Sequence, residues 1–149
     1  MALAIATVTN SIAALTVSGL TIKDIDEIPA SVVDANCPVI YPEPLNLMTN
    51  LVDEPAHFGE GANSDWNVEY DLTYTLCYCP VGDGREMENF APAIDKANGF
   101  IYAIMKANPL TGAVLVRATG ISEVGPVPDP SGNLFIGCRI TVHVLEFVS

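Results

Sequence analysis

Residues 65–80 read "DWNVEYDLTYTLCYCP", and their alternation is the strongest structural signal in the chain. The even positions are Trp66, Val68, Tyr70, Leu72, Tyr74, Leu76 and Tyr78, all apolar or aromatic. The odd positions are Asn67, Glu69, Asp71, Thr73, Thr75, Cys77 and Cys79, all polar or small. A period of two sends alternate side chains to opposite faces of a pleated strand, one buried and one wet. Cys77 and Cys79 fall in the wet row, so "CYC" is expected to be the end of a strand and not a metal or redox site. At roughly 3.3 Å per residue the strand spans about 45 Å. That exceeds the usual strand length, and such strands often project from their domain or line a surface between subunits.

The 149 residues are enough for one domain, expected to cover 1–149 and to bury about 70% of its unfolded surface. Half of the residues are hydrophobic, which argues against disorder. No apolar run approaches the roughly 20 residues that span a bilayer. "MALAIATVTNSIAALTVSGL" has no Lys or Arg, so it lacks the basic region of a secretion signal. Ile5, Val8, Ile12 and Leu15 recur at helical spacing, and an amphipathic helix retained in the mature protein is expected. The formal charge is −12, from 18 acids against six Lys and Arg. So few cations disfavour binding to phosphate backbones or to anionic membranes.

Downstream, Gly19 ends the helical pattern and "LTIKDIDEIP" begins a short strand or extended segment. Pro29 is placed to start a short helix, "PASVVDAN". "CPVIYPEP" is a brief strand bracketed by prolines, suited to a sheet edge. "LNLMTNLV" is strand or extended chain, and "DEPAHFGEGANSD" is a loop before the long strand. A second helix is expected over 89–107, with Phe90, Ile94, Ala97, Ile101 and Ile104 or Met105 on its apolar stripe. Asn89 would cap it, Pro92 would lie in its first turn, and Gly99 would mark a close packing contact. "AVLVRATGISEV" and "LFIGCRITVHVLEFV" form a closing hairpin joined by "GPVPDPSGN". In the second arm Leu134, Ile136, Cys138, Ile140, Val142 and Val144 share a face. Leu145 and Phe147 then switch faces, which implies a bulge or a buried terminus. The fold class is α+β: an antiparallel-dominated sheet with a long strand and a C-terminal hairpin, backed by helices on one face.

The sequence offers no catalytic signature. "VGDGRE" lacks the spacing and the Lys of a phosphate-binding loop. Arg85 stands where a calcium loop needs an oxygen. The four cysteines have no zinc spacing, and only His57 and His143 could assist them. Reduced thiols are the expectation, with Cys138 a small core residue. His143 reads as a solvated or hydrogen-bonded strand histidine. Asp24, Asp26 and Glu27 read as a charged edge beside Lys23. No cofactor, metal or catalytic residue is expected. The loops "VDEPAHFGEGANSD" and "GPVPDPSGN" are longer than tight turns require, and such loops often carry function.

The helix leading into "LTIKDIDEIPASVVDANCPVIYPEP", the strand "WNVEYDLTYTLCY", the single long helix and the closing hairpin together resemble the tail-terminator (tail-completion) proteins of long-tailed bacteriophages. The resemblance covers nearly the whole chain as an order of elements. It rests mostly on "DEIP…CPVIYPEP" followed by the alternating strand. It implies a structural virion protein, not an enzyme, that forms a homohexameric ring on the tail tube. Such a ring stops tube polymerisation and meets the head-tail connector or stopper, with self, tube and connector as partners and no membrane. Six copies would carry about −72, repelling DNA that passes through the channel. Candidate channel or partner-contact acids are Asp24, Asp26, Glu27, Asp53, Glu54 and Glu60. A candidate partner-contact loop is Pro126, Val127, Pro128, Asp129 and Pro130. The alternatives are another neck or tail component, such as a connector stopper or tube subunit, and a cytosolic α+β ligand-binding domain or enzyme. The last of these would have a site assembled from distant residues in a closed apolar pocket.

Overall fold

The computed structural model describes residues 5–44, 47–55, 66–82, 86–107 and 114–148. The elements run α1 (Ile5–Ala13), β1 (Thr21–Ile22), β2 (Val39–Pro42), β3 (Met48–Pro55), β4 (Trp66–Pro80), α2 (Glu86–Lys106), β5 (Val114–Pro128) and β6 (Leu134–Val148). All six strands join one sheet in the order β1-β2-β4-β6-β5. β2 and β3 share one side of β4: β2 pairs with residues 74–77 and β3 with residues 66–72. Only β1 and β2 are parallel. The α+β class with a long strand and a C-terminal hairpin is therefore what the chain adopts.

β4 is long but does not project alone. It pairs with β6 from Trp66↔Val148 to Pro80↔Phe135, and β5 continues the sheet beyond β6. Tyr70, Leu72, Tyr74 and Leu76 of β4 and Ile140, Val142 and Val144 of β6 are fully buried on one face. Val8 and Ile12 of α1 and Ala97, Phe100 and Ile104 of α2 cover that face. Each large side chain so buried contributes roughly 1.5–3 kcal/mol. Tyr74 and Phe100 meet with ring centroids 5.3 Å apart. Gly99 does mark a close contact, because a Cβ there would lie 3.1 Å from Val17 Cγ1. α1 matches its expected face, and Cys138 is core.

Several expectations are corrected. Cys77 does not face solvent: it is fully buried in a second cluster on the opposite face, with Val32, Val39, Tyr41, Val127 and Phe135. A register shift between Cys77 and Cys79 makes Tyr78 the extra residue and resets the alternation there. "PASVVDAN" is no helix beyond the 3-10 turn Asp34–Asn36. Val33 is extended, and the Val32 N–H donates to the Asp129 carboxylate at 2.8 Å, which draws the segment down onto the second cluster. β2 is not an edge strand, because the two-residue β1 lies outside it.

α2 begins before Asn89, which is therefore inside the helix and not its cap, and Pro92 lies beyond the first turn. Its buried line is Ala93, Ala97, Phe100 and Ile104, while Met105 is exposed. The stripe thus keeps Ala97 and Ile104 of the sequence reading and adds Ala93 and Phe100. The first four residues of "GPVPDPSGN" are strand, since β5 runs to Pro128, and 129–133 form the turn. The face switch near the C-terminal end is not a bulge, since β6 stays in register with β4 from Gly137 to Val148. Glu146 takes the helix-side position, buried, and accepts a hydrogen bond from the Tyr70 hydroxyl. Leu134 is half exposed and stands outside the core row.

Candidate functional site

On the face opposite the helices, the second cluster covers only the end of the sheet near the β5–β6 turn. The remainder is an open surface of cross-strand rows set by register. One row is Glu69, Leu145 and Leu115, and the next is Asp71, His143 and Arg117. Together Glu69, Leu115, Val116, Arg117, His143 and Leu145 line a depression of about 430 Å³, open to solvent. His143 Nδ1–H donates to Asp71 Oδ1 at 2.8 Å, and its Nε2 lies 3.7 Å from Glu69 Oε1. Asp71 also accepts from Asn50 Nδ2 at 2.9 Å. His143 is thus the hydrogen-bonded strand histidine that its position suggests. Arg117 is exposed, with no ion pair or hydrogen bond among the described residues.

Farther along this face Glu43 is buried, accepting from Thr75 Oγ1 at 2.6 Å and lying 3.5 Å from Arg139 Nε. Arg139 also pairs with Glu123. Glu123 occupies the left-handed region, φ 52°, within the β5 register shift between Ser122 and Gly125. Desolvation alone would lower the guanidinium pKa, but the two carboxylates hold it above its ordinary value.

The sequence-level candidates are dispersed. Asp24 is buried, not part of a charged edge. It accepts from the Ile25 N–H at 2.6 Å and from Asn10 Nδ2 at 3.1 Å, tying the chain after β1 to α1. Burial alone would raise its pKa, but these donors together with Thr9 hold it below the ordinary value. Asp26 and Glu27 are exposed, with Glu27 Oε1 accepting from the Asp24 N–H at 3.1 Å. Asp53 and Glu54 lie on β3, paired with Val68 and Asn67. Glu60 and His57 fall outside the described residues.

Pro126, Val127 and Pro128 belong to β5 at the opposite end of the sheet. Val127 and Asp129 are buried and so present no surface to a partner, whereas Pro126, Pro128 and Pro130 are exposed. Asp129 organises its turn, accepting from Ser131 N at 3.0 Å, Ser131 Oγ at 2.8 Å and Asn133 N at 2.8 Å, besides Val32. Here too burial would raise the pKa, and the converging donors hold it low.

His143 and Asp71 form an oriented imidazole–carboxylate pair, but no hydroxyl or thiol nucleophile is bonded to His143 among the described residues. No group of three or more His, Cys, Asp or Glu among those residues is arranged to hold a metal. Burial pushes the Cys77 thiol up to about 12, so it stays protonated at neutral pH. None of the four cysteines is in a disulfide. No described helix is long and apolar enough to cross a membrane. The Arg117–His143–Asp71 row escaped the sequence reading because it is made by register. Its only trace was that Asp71 and His143 each occupied the wet parity of their strands. No protein-family model matches the chain, and no curated protein matches its sequence.

Proposed function

We propose that this protein is a structural component of a long-tailed phage virion: a tail terminator that caps the tail tube as a ring and joins it to the head connector. The observation that carries the reading is the order of elements: a helix, short strands, one long central strand, a single long helix and a closing hairpin. The charge of −12 is in keeping with it, because a ring of such subunits would let duplex DNA pass without holding it. The exposed acids Asp26 and Glu27 and the strand bearing Asp53 and Glu54 are the candidates to face the channel. In this reading the protein acts by contact and catalyses nothing. The open, charged depression on the sheet is unlike the closed apolar pocket that a metabolite-binding domain would carry.

The test is to add the purified protein to its cognate tail tube subunit during polymerisation and to image the products. Tubes that stop growing, with a ring on one end, are the expected result. Tubes whose length and ends are unchanged overturn the reading. Retention of duplex DNA by the protein at low salt would count against the repulsive channel.

A further inference from the structure

A surface helix ordinarily turns its apolar stripe to the core and a polar face to water. α2 departs from this on its outward side. Ala93, Ala97, Phe100 and Ile104 are its buried line, yet Tyr102 is 62% exposed and Met105 beside it 59%. At 3.6 residues per turn, Asp95, Tyr102 and Lys106 lie within about 20° of one line opposite the buried one. The Lys106 ammonium sits 5.1 Å from the centre of the Tyr102 ring, which holds the charge next to the apolar pair. Asp95 is exposed, with no ion pair or hydrogen bond among the described residues. The ridge therefore runs acid, apolar pair, base along the helix.

The open face of the sheet carries the matching order. Leu115 and Leu145 are cross-strand neighbours there, Glu69 lies beyond Leu145 on β4, and Arg117 lies two residues along β5 from Leu115. All four line the same depression. Arg117 has no described partner, because the acid in its own row, Asp71, is taken by His143 and Asn50. With strands about 4.8 Å apart and residues about 3.3 Å apart along them, Glu69 and Arg117 stand about 12 Å from each other. Asp95 and Lys106 are about 16 Å apart along α2, at 1.5 Å per residue. The long Arg and Lys side chains take up that difference. Asp95 then meets Arg117, Lys106 meets Glu69, and Tyr102 and Met105 cover the two leucines. α2 packs against the other face of its own sheet, so the helix that reaches this depression belongs to a second copy.

We infer that copies of this chain associate face to back in solution, the outward ridge of α2 of one copy lying across the Leu115–Leu145 depression of the next. The two surfaces differ, so the contact is heterologous, and every copy keeps one of each free until the assembly closes. This rests on the ring reading above and names the surfaces that make the ring.

The test uses the full chain with one substitution on each surface: Tyr102→Glu on the ridge and Leu115→Glu in the depression. Both residues are exposed, and thermal melts check that each variant stays folded. Native mass spectrometry is run on the parent, on each variant alone and on an equal mixture. The parent is expected to form closed rings and each variant alone to stay monomeric. The mixture should stop at a heterodimer, because each variant keeps one working surface. Asp95→Arg should weaken association at least about tenfold, and adding Arg117→Asp to the same chain should restore it. Should either glutamate variant melt early, this charge swap between two exposed residues carries the test. A parent that is monomeric at every concentration overturns the contact, as does a single variant that assembles like the parent. A ring that survives both glutamate substitutions and the Asp95→Arg change overturns it too, and leaves the tail-terminator reading standing. Conversely, a ring built through these surfaces that fails to cap tubes supports the contact and removes the terminator function.

Discussion

The two halves of β4 carry the same alternation of residue types in different surroundings. Over residues 68–73 the strand has a dry face and a wet one: Val68, Tyr70 and Leu72 are buried, and Glu69, Asp71 and Thr73 are half-buried. Over residues 74–77 both faces are dry, with Thr75 and Cys77 as fully buried as Tyr74 and Leu76. The cover on the second face comes from far away in sequence, from Val32, Val39, Tyr41, Val127 and Phe135. Alternation therefore reports which residues share a face; it does not report what lies over that face.

The contrast is open to direct challenge, most severely at Gly137, which pairs with Cys77 in the doubly covered half. A Cβ there would lie 1.7 Å from the Leu76 carbonyl oxygen. Neighbouring backbone cannot yield that distance without parting β4 from β6. Gly137→Ala is expected to lose more than about 4 kcal/mol in urea unfolding or to fail to fold, while Gly120→Ala, in open space, changes stability by less than about 0.5 kcal/mol.

Asp129→Ala comes next, at about 2–4 kcal/mol, because it strips a shared acceptor from several donors, the buried Val32 N–H among them. Its folded pKa is depressed, so its stabilisation is complete above the unfolded value near about 3.9 and is lost as pH falls through the lower folded value. The variant should accordingly show a flatter loss of melting temperature below about pH 4 than the parent protein.

One substitution made two residues apart then sharpens the comparison. Thr75→Val removes the donor to buried Glu43 and should cost about 1.5–3 kcal/mol. Thr73→Val, on the half-open face, should stay within about 0.5 kcal/mol. Equal effects in parallel denaturant melts would erase the distinction between the halves.

A further substitution has the opposite sign. The Tyr74 hydroxyl is buried without a hydrogen-bond partner among the described residues, so Tyr74→Phe should raise stability by about 1 kcal/mol. A loss of similar size in the same melts would reveal a partner for that oxygen.

The elements themselves were legible, because long runs of one period identify strand and helix locally. β4, α2 and β6 could each be read this way. What escaped was set by contacts across the chain. The Asp129 carboxylate captures the Val32 N–H, and with it a segment whose proline and flanking residues read as helix. Asp24 resembled surface charge, and Asp129 part of a partner-contact loop, because a sequence reveals the acid but not the N–H groups that converge on it. The Arg117–His143–Asp71 row needed the registers of two strand pairs, neither of which is encoded within a single strand.

β6, the last strand in chain order, lies between β4 and β5 at the middle of the sheet. A ribosome adding roughly 5–20 residues per second therefore delivers β4 and β5 before the strand that joins them exists. During that interval both long strands offer open edges to any other nascent chain, and correct sheet assembly must wait for residues 134–148 to emerge. High expression temperature should thus favour aggregation during synthesis even if the finished fold is stable, and slower translation gives no relief, because it prolongs the same exposure.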